Sequence, residues 1–108
     1  MGYKVLGQSS PTANTDTTLY TVPASTECVV STLTICNQNT SNVVIRTAVR
    51  PNGATISNEH YIVYNATITG NETFALTFGI TMDASDVVTV RSDTTNVSFN
   101  LYGSEITV

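Results

Sequence analysis

Apolar and polar residues alternate along most of this chain, in short runs separated by residues that favour turns. A period of two is typical of β-strands with one buried and one solvent-facing side, because successive side chains point to opposite faces. The pattern predicts seven or eight strands about ten residues apart. They cover residues 2–6, 17–22, 27–36, 42–49, 59–68, 73–78, 87–92 and 97–103, and the apolar tail 105–108 is expected to pack rather than extend freely.

Short strands at this spacing, with short turns between them, favour a single antiparallel β-sandwich of jelly-roll or immunoglobulin-like type that spans residues 1–108. The composition agrees with an all-β class. The chain has 20 Thr, 10 Ser and 10 Asn, and only 11% of its residues are charged. Such residues suit solvent-facing strand positions and turns, whereas residues that favour helices are scarce.

The segment 42–49 alternates most regularly. One face, predicted to be buried, carries Val43, Ile45, Thr47 and Val49. The opposite face carries Val44, Arg46, Ala48 and Arg50. The arginine face is expected to point outward, because burying two unpaired arginines would cost several kcal/mol each.

Two later strands are assigned in the same way. In the segment 59–68, strict alternation separates His60, Ile62 and Tyr64 from Tyr61, Val63 and Asn65. In the segment 73–78, three large apolar residues share one face and form the strongest predicted contribution to the core: Phe74, Leu76 and Phe78.

Both cysteines lie in the segment CVVSTLTIC, which is predicted to be one strand. Regular alternation places Cys28 and Cys36 on one face, together with Val30, Thr32 and Thr34, and about 26 Å apart at ~3.3 Å per residue. A disulfide needs Cα atoms within about 7 Å, so two unpaired thiols are expected. A sharp bulge in the strand is the alternative that would bring the thiols closer together.

The charge pattern argues against several classes of partner. The net charge is −4, and the four basic residues are scattered along the chain, so neither a nucleic acid nor an anionic membrane is expected to bind. No stretch is apolar enough to span a bilayer. The first residues, MGYKVLGQSSP, lack the apolar segment of a secretory signal.

Candidate catalytic and metal-binding groups are few, and we predict that the protein is not an enzyme and has no metal or cofactor. His60 is the only histidine, and a structural role is favoured over a role as a base. Asp83 and Asp86 could share a calcium ion, but a turn stabilised by aspartate explains them better.

Two surfaces are candidates for partner binding. Arg46 and Arg50 are predicted to contact carboxylates of a protein partner, and the alternative is that both are simply solvated. Tyr61 and Tyr64, beside His60, form a possible glycan site, although tyrosines on strands are often half-buried packing residues.

Five short motifs follow one another along the segments 19–53, 60–68 and 86–106. They are YTVPA, a VSTLTICN strand, an RTAVRP strand, HYIVY and SFNLYGSEI. In this order and pattern the chain resembles small proteins encoded by tailed bacteriophages, including marine and cyanobacterial ones, over nearly its whole length. The resemblance implies a virion structural component without enzymatic activity, made in the cytoplasm of a bacterial host.

From this resemblance we expect a capsid decoration or cement protein that binds the major capsid protein as a homo-oligomer, with a trimer favoured. Arg46 and Arg50 are its expected contacts. A tail, neck or fibre component is the first alternative. A glycan-binding module that uses Tyr61 and Tyr64 is the second.

Overall fold

A computed structural model describes residues 2–108, apart from the side chain at position 78. The described chain is built almost entirely of strands joined by short turns. The eight strands are β1 (Lys4–Ser9), β2 (Thr17–Thr21), β3 (Thr26–Asn37), β4 (Val43–Arg50), β5 (Tyr61–Ile68), β6 (Thr73–Met82), β7 (Val87–Ser92) and β8 (Val97–Thr107). Two single 3-10 turns, Pro51–Gly53 and Asn58–His60, lie in the connection between β4 and β5.

The strands form two four-stranded antiparallel sheets, in the orders β1-β8-β3-β6 and β2-β7-β4-β5. The first strand pairs with the last, the second with the seventh, the third with the sixth and the fourth with the fifth. This is a long antiparallel ribbon rolled into a sandwich, which is the jelly-roll arrangement. The immunoglobulin-like alternative is excluded, because that fold pairs its first two strands in one sheet.

Most predicted strands are confirmed, and the differences lie at strand ends. β6 continues to Met82, and β8 includes most of the apolar tail and ends at Thr107. Both extensions pair with the beginning of β3, where Cys28 lies opposite Met82 and Thr26 lies opposite Thr107. Pairing with the longest central strand therefore orders segments whose local sequence predicts a loop or a tail.

The core lies between the two sheets, and β4 supplies its predicted face. Val43, Ile45 and Thr47 are buried as expected. Ala48, predicted to face solvent, is only 1% exposed. The connection between β4 and β5 accounts for this burial, since one of its 3-10 turns contacts β4 and the other contacts β7.

The predicted common face of the two cysteines is wrong, because β3 has a bulge in its middle. Against β8, Val30 lies opposite Gly103 and Thr32 lies opposite Tyr102, so Ser31 is an extra residue. A bulge of this kind reverses the alternation of side chains. The inward residues are therefore Cys28 and Val30 before the bulge and Leu33, Ile35 and Asn37 after it.

Cys36 consequently lies on the face opposite Cys28 and is only half-buried, and both thiols are unpaired. The small side chain of Ser31 donates a hydrogen bond to the Tyr102 carbonyl, 3.2 Å away. The close approach of β8 to β3 also requires a glycine at position 103, since a Cβ on Gly103 would lie 2.2 Å from the Val29 carbonyl oxygen. A serine and a glycine thus fit the bulge between β3 and β8.

Strict alternation is also wrong for β5, whose pairing with β4 shifts register twice, between Ile45 and Thr47 and again between Thr47 and Ala48. The shifts place Tyr61 and Tyr64 beside each other on the outer face of the sheet. One residue of β5, Asn65, has a left-handed backbone with φ of 54°. Asparagine tolerates this conformation better than most residues.

The core contribution predicted for β6 is smaller than expected. Phe74 is 37% exposed, and Leu76 is only half-buried against the core. The reason is topological: β6 is an edge strand, so nothing in its own sheet covers its second side. The prediction for the side chain of Phe78 lies outside the described residues.

Asn37, at the end of β3, is a buried polar residue that joins the β3–β4 and β5–β6 loops at one end of the sandwich. Its side-chain nitrogen donates to the carbonyls of Ser41, Ile68 and Thr69 at 2.9–3.2 Å. Its side-chain oxygen accepts hydrogen bonds from the backbone and side-chain nitrogens of Asn39, at 2.9 and 3.2 Å. A fully bonded amide at 1% exposure fixes these loops relative to the core.

We expect Asn37→Ala to lower the free energy of unfolding by about 2–4 kcal/mol, because it leaves several buried backbone groups without partners. Asn42→Ala, at an exposed position of the same loop, should change it by less than about 0.5 kcal/mol. Urea unfolding followed by circular dichroism measures both values. Equal effects of the two substitutions would show that the amide does not fix these loops.

Candidate functional site

An arginine and two tyrosines form the most distinctive group on the surface, and we call Arg46, Tyr61, Tyr64 and Asn65 the Arg–Tyr cluster. The guanidinium carbon of Arg46 lies 4.4 Å from the centroid of the Tyr64 ring and 6.0 Å from that of Tyr61. The two rings meet edge to face at 4.9 Å and 74°. Nε of Arg46 donates to the side-chain oxygen of Asn65 at 2.8 Å.

The cluster depends on the irregular pairing of β4 and β5. Arg46 projects from the outer face of β4, as the sequence predicts, and the register shifts turn both tyrosines towards the same face. The interactions hold the guanidinium in a fixed orientation, since one nitrogen is bonded and one face lies over an aromatic ring. Tyr64 nevertheless remains 57% exposed, so the cluster is rigid but open to a partner.

Two shallow depressions adjoin the cluster. One has a volume of about 400 Å³ and is lined by Asn58, Tyr61 and Tyr64. The other is smaller, at about 80 Å³, and contains only polar groups apart from one valine. Its lining consists of Asn14, Val44, Arg46, Asn65, Arg91 and Asp93. Aromatic, amide and guanidinium groups therefore meet on one outer sheet face.

Arg91 brings a second positive charge next to the cluster. It lies directly opposite Arg46 in the pairing of β7 with β4, and its guanidinium is 3.5 Å from a carboxylate oxygen of Asp16. The sequence places these two arginines far apart, and only the strand order shows that they are neighbours. Three of the four basic residues of an acidic chain thus lie on two adjacent strands.

Arg50, the other arginine predicted to bind a partner, is not part of the cluster. One terminal nitrogen donates to the Gly53 carbonyl at 3.3 Å, which holds the turn that follows β4. Its Nε is buried and has no hydrogen-bond partner in the described structure. The structure therefore brings together Arg46, Tyr61 and Tyr64, which the sequence assigns to two different surfaces.

The other candidate residues serve local structure. Nδ1 of His60 accepts the backbone N–H of Ser57 at 3.1 Å and closes the short turn before β5. The carboxylate of Asp86 accepts the backbone N–H groups of Asn52 and Asp83 at 2.8 and 2.9 Å. Among residues 2–108, no group of three or more histidine, cysteine, aspartate or glutamate side chains is placed to hold a metal ion.

A polar group that the sequence does not predict links the two sheets. Glu105, on β8, accepts a hydrogen bond from the Tyr20 hydroxyl on β2 and forms an ion pair with Lys4 on β1. The bonds from Lys4 and then Tyr20 hold the pKa of Glu105 below its usual value. Burial and the bond to Glu105 raise the pKa of Tyr20, and burial raises the pKa of the adjacent Cys28 thiol.

These environments define the chemistry of the molecule. Cys28 is kept in its neutral thiol form, which is the less nucleophilic one. In contrast, the Arg–Tyr cluster offers a cation, two aromatic surfaces and an amide group, which are recognition groups rather than reactive ones. The described helical segments are single turns, so none is long enough to cross a membrane.

A comparison with protein-family models and with curated proteins finds no match for this chain.

We expect Glu105→Gln to lower stability by about 1–2 kcal/mol at pH 7 and much less at pH 3. A carboxyl whose pKa is lower in the folded state stabilises the fold above its unfolded pKa. This contribution disappears as the pH falls through the folded value. Urea midpoints at both pH values measure the change, with Glu27→Gln at an exposed position as the control. A difference that is independent of pH would contradict an ionic role.

Proposed function

We propose that this chain is a non-enzymatic structural protein of a bacteriophage virion, and specifically a decoration protein on the outer surface of the capsid. The observation that carries this proposal is the eight-stranded jelly-roll topology, β1-β8-β3-β6 over β2-β7-β4-β5. Jelly rolls of this kind are common in viral capsid domains. The likeness of the motif order to phage proteins supports the same assignment.

The use of polar residues also supports a structural role. Three groups of the kinds that serve catalysis instead fix turns or join sheets: His60 closes a turn, Asp86 holds two backbone amides, and Glu105 ties β8 to β1 and β2. By contrast, the groups left accessible at the Arg–Tyr cluster are suited to binding.

We propose that the Arg–Tyr cluster contacts carboxylates on the major capsid protein. The interactions with Tyr64 and Asn65 hold the Arg46 side chain in place before a partner arrives, which reduces the entropy lost on binding. Arginine and tyrosine are enriched at the energetic centres of protein interfaces. Arg50 supports this surface indirectly, through its bond to the turn after β4.

A position in the tail, neck or fibres is the first alternative. The same surface would serve there, because the physical requirements for binding another virion protein do not change with location. The number of copies per particle separates the two positions.

We expect Arg46→Glu to weaken binding to particles that lack this protein by at least about tenfold, because it places a negative charge against the partner's carboxylates. Thr18→Glu, on the far edge strand of the same sheet, should bind like the wild type. Co-sedimentation with particles measures binding, and circular dichroism checks that each variant folds. Unchanged binding of Arg46→Glu would reject this contact surface.

The depression beside Tyr61 and Tyr64 favours a second candidate function, glycan binding. Its volume of about 400 Å³ is within the range of small-ligand sites. The exposed ring of Tyr64 could stack against a sugar, and Asn58 could bond to sugar hydroxyl groups. The nearby guanidinium of Arg46 would favour a saccharide that carries a carboxylate group. Jelly rolls also occur in lectins.

Asn58→Ala separates the two functions, because this residue lines the depression but lies outside the Arg–Tyr cluster. If the site binds glycans, we expect Tyr64→Ala and Asn58→Ala each to reduce binding on an array of acidic saccharides by at least about fivefold. If the partner is a protein, Asn58→Ala should bind particles normally. The absence of array signal for the wild type would reject glycan binding.

A further inference from the structure

The two sheets have four edge strands, and three of them carry features that oppose pairing with another chain. β1 begins with the charged residue Lys4 and shifts register between Val5 and Gly7. β2 is only five residues long and also shifts register. β5 shifts register twice and contains the left-handed Asn65. Shortness, charge and bulges are devices by which proteins protect sheet edges.

The fourth edge, β6, is much less protected. It runs for ten residues, Thr73–Met82, and its sequence TFALTFGITM contains no charged residue and no proline. Its only register shift lies between Thr77 and Ile80, so the segment Thr73–Thr77 pairs regularly with β3. No described strand pairs with the other side of β6. A long, uncharged edge of this kind is a template for adding another strand.

The side of the sandwich next to β6 is also apolar. Phe74 and Leu76 lie opposite the core residues Ile35 and Leu33, so they point towards the interior, yet Phe74 is 37% exposed. Ile62, on the neighbouring edge strand β5, is 43% exposed. The core is therefore covered less completely at this side of the sandwich than elsewhere. An added strand would bury more of its apolar surface.

We propose that β6 pairs with β6 of a second copy of this chain, antiparallel and about a two-fold axis, to form one continuous eight-stranded sheet. Identical edge strands can pair with themselves in this way, because an antiparallel arrangement is self-complementary under two-fold symmetry. The lack of charge on β6 favours this pairing, because a two-fold axis brings identical residues of the two copies close together, and like charges there would repel each other. The chain as a whole, by contrast, carries a charge of −4.

The charge pattern favours a second copy over a different partner. An edge adapted to a charged partner strand would be expected to carry complementary charges, and the segment Thr73–Met82 has none. Pairing through identical edges requires two chains, whereas the resemblance to phage proteins favours a trimer. The proposal does not depend on a role in virions, because it rests on β6 alone.

The test is the mass of the purified chain at concentrations from roughly 1 to 500 µM, measured by light scattering after size-exclusion chromatography. We expect a shift towards twice the mass of one chain as the concentration rises. Thr77→Lys, at an exposed position of β6, should raise the dissociation constant at least about tenfold, because it places a positive charge on each of the two paired strands. Thr18→Lys adds the same charge on β2, at the opposite side of the molecule, and should have no effect.

Hydrogen exchange provides a second readout that needs no substitution. Backbone amides in the segment Thr73–Thr77 should exchange more slowly as the wild-type chain becomes more concentrated, because pairing protects them. A single-chain mass at every concentration would overturn the proposal, as would a trimer. Equal weakening by Thr77→Lys and Thr18→Lys would also overturn it, since it would place the contact elsewhere.

Discussion

The bulge at Ser31 is the constraint on which much of this sandwich depends. It reverses the inward face of the longest central strand, so that Cys28 and Val30 face the core before it and Leu33 and Ile35 after it. Both halves of β3 can therefore bury their large apolar residues. The reversal also turns Asn37 inward, where its amide fixes the loops at one end of the sandwich. The bulge in one strand thus determines both the core and the polar end of the fold.

A second irregularity, in β5, determines the binding surface. With regular alternation, Tyr61 and Tyr64 would lie on opposite faces, and only one could reach Arg46. The two register shifts place both rings on the arginine side. The result is a recognition surface on the outer face of one sheet, whereas the unprotected edge strand β6 belongs to the other sheet.

The sequence predicts the strands well because strand formation follows from local alternation and turn residues. It also predicts the inward face of β4, where Val43 and Ile45 alternate without interruption. It fails where register is irregular, since the extra residue at Ser31 is set by pairing with β8, and no local signal separates CVVSTLTIC from a regular strand. The pairing of Arg46 with Tyr64 and the closeness of Arg91 were likewise not predictable, because both depend on strand order. Phe74 shows the same limit, since its exposure follows from the edge position of β6.

The central claim is that the chain is a structural component of a virion shell. Quantitative peptide mass spectrometry on purified phage particles, scaled against the major capsid protein, tests it most directly. Decoration of a shell follows the symmetry of its many subunits, so the account predicts on the order of hundreds of copies per particle. The absence of this chain from purified particles would contradict the account and leave glycan recognition as the better explanation of the Arg–Tyr cluster.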